Sequence, residues 1–378
     1  MAILPLIPPQ KTPLRLLLLS TPVGPLGSGL GGGVEASVVN LARVLGQRGH
    51  RITIVAPLGS VLPDHSQVEL VQMVGSFQPT AQTQPRLQPS EPFPVANSAL
   101  ANACEYVQAE QARYDLIVNF AYDWQPFQLT AMLETPLAHF VTMGSLLDVM
   151  DQVIAQTALQ FPNRLGAYTR SQAETFRQTS LSDWQILGSA IDLQQYDYCD
   201  EPEGSLGWVG RISPEKGLED AIAASASARR PLKIFGKIED AAYWQSLTKQ
   251  INEAPAPVNY CGFLSTPELQ KALGSTQALL MTPKWIEAFG MVAIEAMACG
   301  VPVIAYRRGG PAEIVRDGQT GWLVQPDNIE ALVSAIARIG EIDRRQCRQD
   351  AADLYSLTAW GDRFERWFYQ IVSGMMSS

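Results

Sequence analysis

Short apolar runs alternate along this chain with longer stretches in which apolar residues recur every three or four positions. Residues 14–19 read as a buried strand, 34–48 as a helix with Val34, Val38, Leu41 and Leu45 on one face, and 52–56 as the next strand. Strands are predicted again at 116–120, 137–142 and 165–168, each followed by helical spacing. A second series lies at 206–210, 232–235, 258–261, 278–281 and 303–306. Alternation of this kind predicts an α/β protein. Between the two series, residues 193–205 collect Tyr196, Asp197, Tyr198, Asp200, Glu201, Pro202 and Glu203, which reads as a linker. The expected domains are therefore 1–190 and 191–357. Residues 75–95, rich in Pro and Gln and without periodicity, read as an exposed loop. The closing stretch 358–373 is amphipathic, and its aromatic face of Trp360, Phe364, Trp367 and Phe368 needs cover.

With 378 residues and 46% hydrophobic composition, the chain has material for two cores. The net charge of −9 argues against a nucleic-acid partner, and no basic run interrupts it. Cys104, Cys199, Cys261, Cys299 and Cys347 are odd in number and widely spaced, which fits a reducing compartment; a cytoplasmic protein is expected. The compact apolar run at 16–19 is too short for a secretory signal, and nothing approaches the roughly 20 apolar residues of a membrane span.

Two constellations carry chemistry. Glu287 and Glu295 bracket a strand-to-helix turn in an apolar segment, where an ionised carboxylate needs hydrogen-bond donors. A polyhydroxy ligand supplies them. The backbone N–H groups of Phe289, Gly290, Met291 and Val292 at the start of the following helix are suited to an anion. The second constellation is Gly210-Arg211-Ile212-Ser213-Pro214-Glu215-Lys216-Gly217, in which an apolar strand ends at Arg211 and Lys216 follows at a helix start. Ligands of open α/β sheets sit at the carboxyl ends of strands, so both cations are expected to face a diphosphate. Together the two sets suit a nucleotide sugar.

The glycine loop opens a third region. Gly27-Ser28-Gly29-Leu30-Gly31-Gly32 matches G-x-G-x-x-G after a strand, but no acid lies between Glu35 and Asp64 to hold a nicotinamide cofactor's ribose. Gly31, Gly32 and Gly33 read as backbone close to the donor diphosphate or the acceptor, while a tight-turn role stays open for Gly24, Gly27 and Gly29. No Asp-x-Asp pair is present and the three histidines, His50, His65 and His139, are scattered, so no metal and no other cofactor is expected.

In this order and spacing the chain resembles retaining glycosyltransferases of the GT-B fold, specifically family 4. The resemblance rests on Gly31-Gly32-Gly33-Val34-Glu35, the Arg211 and Lys216 motif, the Glu287/Glu295 pair, and Gly309-Gly310-Pro311-Ala312-Glu313-Ile314-Val315 with Asp317-Gly318-Gln319-Thr320-Gly321-Trp322. It implies two Rossmann-like domains facing a central cleft, an acceptor domain first and a donor domain second, with residues 358–378 crossing back onto the first. It implies a hexose, glucose foremost, moved from a UDP-sugar with retention at the anomeric carbon. Arg211 and Lys216 would then hold the phosphates, Glu287 the sugar hydroxyls and Glu295 the ribose. Backbone near Phe263 would read a uracil. Glycogen and starch synthases share the architecture but normally run longer. A binding protein on a decayed scaffold would have lost the donor residues, which are all here.

One departure concerns the acceptor side. Many members carry a histidine where this chain has Met143; His139, four residues earlier, reads as a core histidine, and Asp148 or Asp123 could take the role. The run Phe120-Ala121-Tyr122-Asp123-Trp124-Gln125-Pro126-Phe127 follows a strand and is either core and wall or a stacking surface for a flat acceptor. If the strand continues, Tyr122 and Trp124 share one face and Asp123 the other. The chain architecture resembles cyanobacterial enzymes that glucosylate tetrahydrobiopterin, though no motif here is specific for a pterin.

Overall fold

A computed structural model of the chain describes residues 12–30, 32–63, 68–79 and 97–376. Gly31, and most of the loop expected over 75–95, lie outside the described residues.

The first sheet has seven strands: β1 (Arg15–Leu19), β2 (Arg51–Pro57), β3 (Val68–Met73), β4 (Leu116–Asn119), β5 (Leu137–Val141), β6 (Leu165–Ala167) and β7 (Trp184–Ile186), in the order β3-β2-β1-β4-β5-β6-β7. The pairings joining β1 to β5 and to β3 are parallel. The second sheet holds β8 (Leu206–Val209), β9 (Leu232–Phe235), β10 (Val258–Tyr260), β11 (Ala278–Met281), β12 (Val303–Tyr306) and β13 (Gly321–Val324), in the order β10-β9-β8-β11-β12-β13. It is parallel throughout. In each sheet the order reverses beside the first strand, between β1 and β4 and between β8 and β11, which is the doubly wound Rossmann pattern.

The sequence explains why these strands are central. Leu-Leu-Leu-Leu of β1 and Ala-Leu-Leu-Met of β11 are buried along their whole length, as strands covered on both faces must be. Leu17, Leu19, Val55 and Ile117 pack with Leu100, Ala103 and Val107 of helix Ala99–Glu110. By contrast β3 is half-exposed, with Glu69 and Gln72 facing solvent.

The chain divides into two compact units, one of Met1–Phe140, Leu147–Leu165 and Glu365–Ser378, the other of Val141–Leu146 and Gly166–Phe364. The acidic stretch 193–205, expected from its composition to be a linker, packs as part of the second unit. Tyr196 is buried, Asp197 N donates to Gln270 Oε1 at 3.0 Å, and Cys199 N donates to Cys299 O at 3.1 Å.

The last helix, Leu357–Met376, buries Trp360, Phe364, Trp367, Phe368 and Ile371. Its Glu365 end belongs to the first unit, where Trp367 Nε1 donates to Asn163 O at 2.9 Å. There Glu365 also meets His50 Nε2 at 3.0 Å and Arg48 at 3.3 Å.

Candidate functional site

The site in the second unit is built where β8 and β11 end. After β8 the chain runs through Arg211 into the single turn Pro214–Lys216, and Gly217 follows at φ +64°. A Cβ on Gly217 would lie 2.0 Å from Thr282 O. Only glycine lets the turn press so closely on the residues after β11. Two further bonds hold it there: Thr282 Oγ1 donates to Gly217 O at 2.7 Å and Lys284 N to Glu215 O at 2.9 Å.

That clamp delivers Lys216 to Glu287. Lys216 Nζ lies 2.5 Å from Glu287 Oε2, and Trp285 Nε1 donates to the same oxygen at 3.1 Å. The ammonium also sits 5.2 Å from the centroid of the Trp285 ring, within cation–π range. The Lys216 and Glu287 side chains keep 20% and 17% of their exposure, so a ligand can reach both.

Glu287's own loop is fixed from the other side. Gly310 N donates to Glu287 O at 2.7 Å, and a Cβ on Gly310 would lie 2.0 Å from Phe289 O. This close approach accounts for the Gly309-Gly310-Pro311 motif. Glu313 of the same motif points elsewhere, accepting from Arg170 N at 3.0 Å and Ser171 N at 2.7 Å.

Helix Met291–Ala298 begins after Gly290, and no side chain caps it. The amides of Met291 and Val292 therefore have no intrahelical acceptor. Phe289 is buried, its ring centroid 5.7 Å from that of Tyr168 and 6.0 Å from that of Tyr355, so it anchors the helix start through packing. One turn further, Glu295 accepts from the Tyr196 hydroxyl at 3.3 Å. Burial pushes its carboxyl above the ordinary range, opposed by that hydrogen bond.

Arg211 is engaged by acids. It forms ion pairs with Glu239 and, at 3.1 Å, with Glu215, which also accepts from Ser213 Oγ at 2.7 Å. Phe263 is 77% exposed in the loop after the edge strand β10. The sequence reading did not single out Trp285, Glu239 or Tyr196 as contacts of these groups. Trp285 could have been found from its place two residues before Glu287; Glu239 and Tyr196 come from other loops and carry no local signal.

The first unit holds the remaining candidates. Gly32 precedes helix Gly33–Gln47, and both glycines are exposed. Buried Glu35 organises the glycine loop: it accepts from Gly27 N at 3.0 Å, Gly29 N at 3.1 Å and Ser28 Oγ at 3.3 Å. The strand alternation expected for residues 122–124 is not found. β4 stops at Asn119, Asp123 caps helix Trp124–Leu129 by accepting from Gln125 N at 2.9 Å, and Trp124 is that helix's first residue. An Asp three residues before Pro126 favours the cap over a longer strand. Phe120 and Phe127 are core, whereas Tyr122 and Trp124 are half-buried.

His139 is a core histidine, fully buried and stacked on Phe127 at 3.9 Å. Asn119 Nδ2 lies 3.2 Å from its Nδ1 and Thr130 Oγ1 2.8 Å from its Nε2. Burial, with Arg164 nearby, lowers its pKa to about 3, so the ring is neutral. In the second unit, half-buried Met143 offers its carbonyl to Gln172 Nε2 at 2.9 Å, and Asp148 in the first is exposed. Among the described residues no group of three or more His, Cys, Asp or Glu is arranged to hold a metal ion, and no helix is long and apolar enough to cross a membrane.

Residues 200–353 match the sequence profile of the glycosyl transferases group 1, a stretch that contains Arg211, Lys216, Glu287 and Glu295. This part of the chain is similar to the group 1 glycosyl transferases. The chain is 36% identical over 140 residues to sulfoquinovosyl transferase SQD2 of Arabidopsis thaliana, a match covering 36% of this chain and 26% of the plant protein's length. It is 27% identical over 379 residues to D-inositol 3-phosphate glycosyltransferase of Arthrobacter sp. (strain FB24), covering 87% of this chain and 88% of that one. Anabaena Alr3699/HepE, solved in complex with UDP, has the same fold at a TM-score of 0.72 and 18% identity, over 94% of this chain and 100% of that one. The two parallel-sheet Rossmann-like units are those of GT-B glycosyltransferase structures.

Proposed function

We propose that this chain is a metal-independent, retaining glycosyltransferase of family 4 that moves a hexose, glucose foremost, from a UDP-sugar to a small acceptor. The observation that carries the reading is the Lys216–Glu287 pair beside the uncapped start of helix Met291–Ala298, at the switch point between β8 and β11. Rossmann-type sheets bind their ligands at this point. In the proposed site Arg211, Lys216 and the Met291 and Val292 amides receive the diphosphate, Glu287 accepts from sugar hydroxyls, and Glu295 accepts from the ribose. Phe263's loop lies against the base, and Gly32 and Gly33, exposed at the start of helix Gly33–Gln47, are further proposed donor-binding residues. The acceptor hydroxyl attacks the anomeric carbon on the face from which UDP leaves, and its proton passes to the departing phosphate oxygen. Fixed cations aimed at that oxygen are typically worth about 3–4 kcal/mol each.

Tyr122 and Trp124, half-buried where Phe120 and Phe127 are core, supply aromatic surface for an acceptor with a flat face, such as a reduced pterin. That UDP is bound by Alr3699/HepE, and inositol phosphate handled by the Arthrobacter relative, supports a UDP-sugar donor and a soluble acceptor. The test is transfer from UDP-[14C]glucose in excess EDTA, with reduced pterins, inositol phosphate, glycerol phosphate and glucose as competing acceptors. Transfer in EDTA is expected, and Lys216→Ala should lower kcat by roughly 10²- to 10³-fold. Activity that vanishes in EDTA and returns with Mn²⁺ overturns the metal-free donor site. Transfer to sugars alone removes the flat acceptor.

A further inference from the structure

Arg211 is the only proposed phosphate ligand held by two acids at once, and they differ in how firmly they are held. Glu215 shares its turn, sits four residues away, and has its carboxylate fastened by Ser213 Oγ at 2.7 Å. Glu239 reaches Arg211 from the loop after β9. That loop's backbone is fixed: Ile212 N donates to Lys237 O at 2.9 Å, and Glu239 N and Asp240 N both donate to Ile212 O, at 3.3 and 3.1 Å. The Glu239 carboxylate makes no other hydrogen bond among the described residues and is 39% exposed. One acid is thus built into the turn, and the other is placed beside the guanidinium on a rigid backbone with a side chain free to leave.

A guanidinium grips a phosphate best through two parallel N–H bonds. Here its NH1 faces Glu239 and its NH2 faces Glu215. A diphosphate taking that grip across NH1 and NH2 must displace one carboxylate, and Glu239 is the one that costs least to move.

We infer that Glu239 is a built-in counter-ion that competes with the nucleoside diphosphate for Arg211 and so sets the affinity for UDP and its release after transfer. This rests on the donor site proposed above. Glu239 is in this sense a specificity-determining residue: it occupies the diphosphate's place on Arg211 between turnovers and weakens the product's hold.

The experiment uses the full chain, with UDP and uridine as probes in calorimetry and UDP as product inhibitor. Glu239→Gln removes the charge while keeping size and exposure, so folding should be unaffected. It should tighten UDP by up to about fivefold, the range of an exposed ion pair, and lower the UDP inhibition constant to match. Uridine, which lacks phosphates, should bind as before. Glu239→Asp, whose carboxylate stops one methylene short, should fall between. In an Arg211→Ala background Glu239→Gln should no longer tighten UDP. Unchanged or weaker UDP binding by Glu239→Gln, when the unaltered chain binds UDP, overturns the counter-ion, as does tightening that persists without Arg211. If the unaltered chain binds no UDP at all, the donor site and this inference fall together.

Discussion

Glu287 and Glu295 lie eight positions apart, yet their surroundings differ. Glu287 accepts from an ammonium and an indole N–H, two donors that aim one carboxylate oxygen at a single point. Glu295 has one neutral donor at 3.3 Å and is pushed toward its protonated form by burial, so its site favours a ligand that brings donors of its own. The proposed roles, Glu295 on the ribose and Glu287 on the sugar, are tested by this difference. Glu295→Gln should weaken UDP itself by roughly five- to tenfold, because ribose hydroxyls are present in UDP and UDP-sugar alike. Glu287→Gln should leave UDP affinity nearly unchanged while removing the extra affinity that the sugar confers. Calorimetry with UDP and with UDP-glucose separates the two; equal losses on bare UDP would refute the assignment. Both glutamates, with Lys216, were legible in the sequence because each follows a strand end inside a short motif. Trp285's bond to Glu287, Tyr196's to Glu295 and Glu239's to Arg211 were not, since only the fold decides which side chain of a separate loop turns inward.

Most strands that the sequence disclosed are buried on both faces, such as β1, β4, β8, β11 and β12, where continuous apolar runs leave one reading; β10, an exposed edge strand, is the exception. β3, β7 and β13 escaped it. Val-Glu-Leu-Val-Gln-Met and Gly-Trp-Leu-Val are partly exposed edge segments, and Trp-Gln-Ile has only three residues, so their pairing partners rather than their composition make them strands. The turn Pro214–Lys216 shows the opposite case, an element whose glycine is dictated by contact. Gly217→Ala would place a methyl 2.0 Å from Thr282 O at a left-handed φ, and relief requires the turn to lift away from β11's end, carrying Lys216 off Glu287. The strain should cost about 1–3 kcal/mol in unfolding experiments, and kcat/KM should fall by more than tenfold. Gly340→Ala, where a Cβ meets nothing within 4 Å, is the control and should leave both quantities unchanged. A fully active Gly217→Ala enzyme would show that the clamp on Thr282 does not position Lys216.

Two doubly wound sheets and a final helix reaching the first unit were foreseen from periodicity and family resemblance, but the sequence did not disclose which buried groups tie the chain's stability to pH. His139 is the main one on the acid side. Its pKa of about 3 lies below the ordinary histidine value near 6.5, so between those limits the unfolded chain binds a proton that the folded chain refuses. Stability from this group is complete above about pH 6.5 and is lost as pH falls, with a slope approaching 1.4 kcal/mol per pH unit. Glu295 and Asp123 act in the other direction, because burial holds their carboxyls above the usual range and they take up protons more readily when folded. Their contribution is greatest at low pH and is lost as pH rises, so the chain's total pH curve mixes the two signs. The difference between the unaltered chain and His139→Gln isolates the histidine, since the carboxylates are common to both. Glutamine can still meet Asn119 and Thr130 by hydrogen bond but cannot titrate. Urea unfolding followed from pH 7.5 to 4.5 should show the advantage of the unaltered chain shrinking by about 1.4 kcal/mol per unit below pH 6. A constant difference across that range would mean that His139 titrates alike in the folded and unfolded chain, contrary to its full burial between Phe127, Asn119 and Thr130.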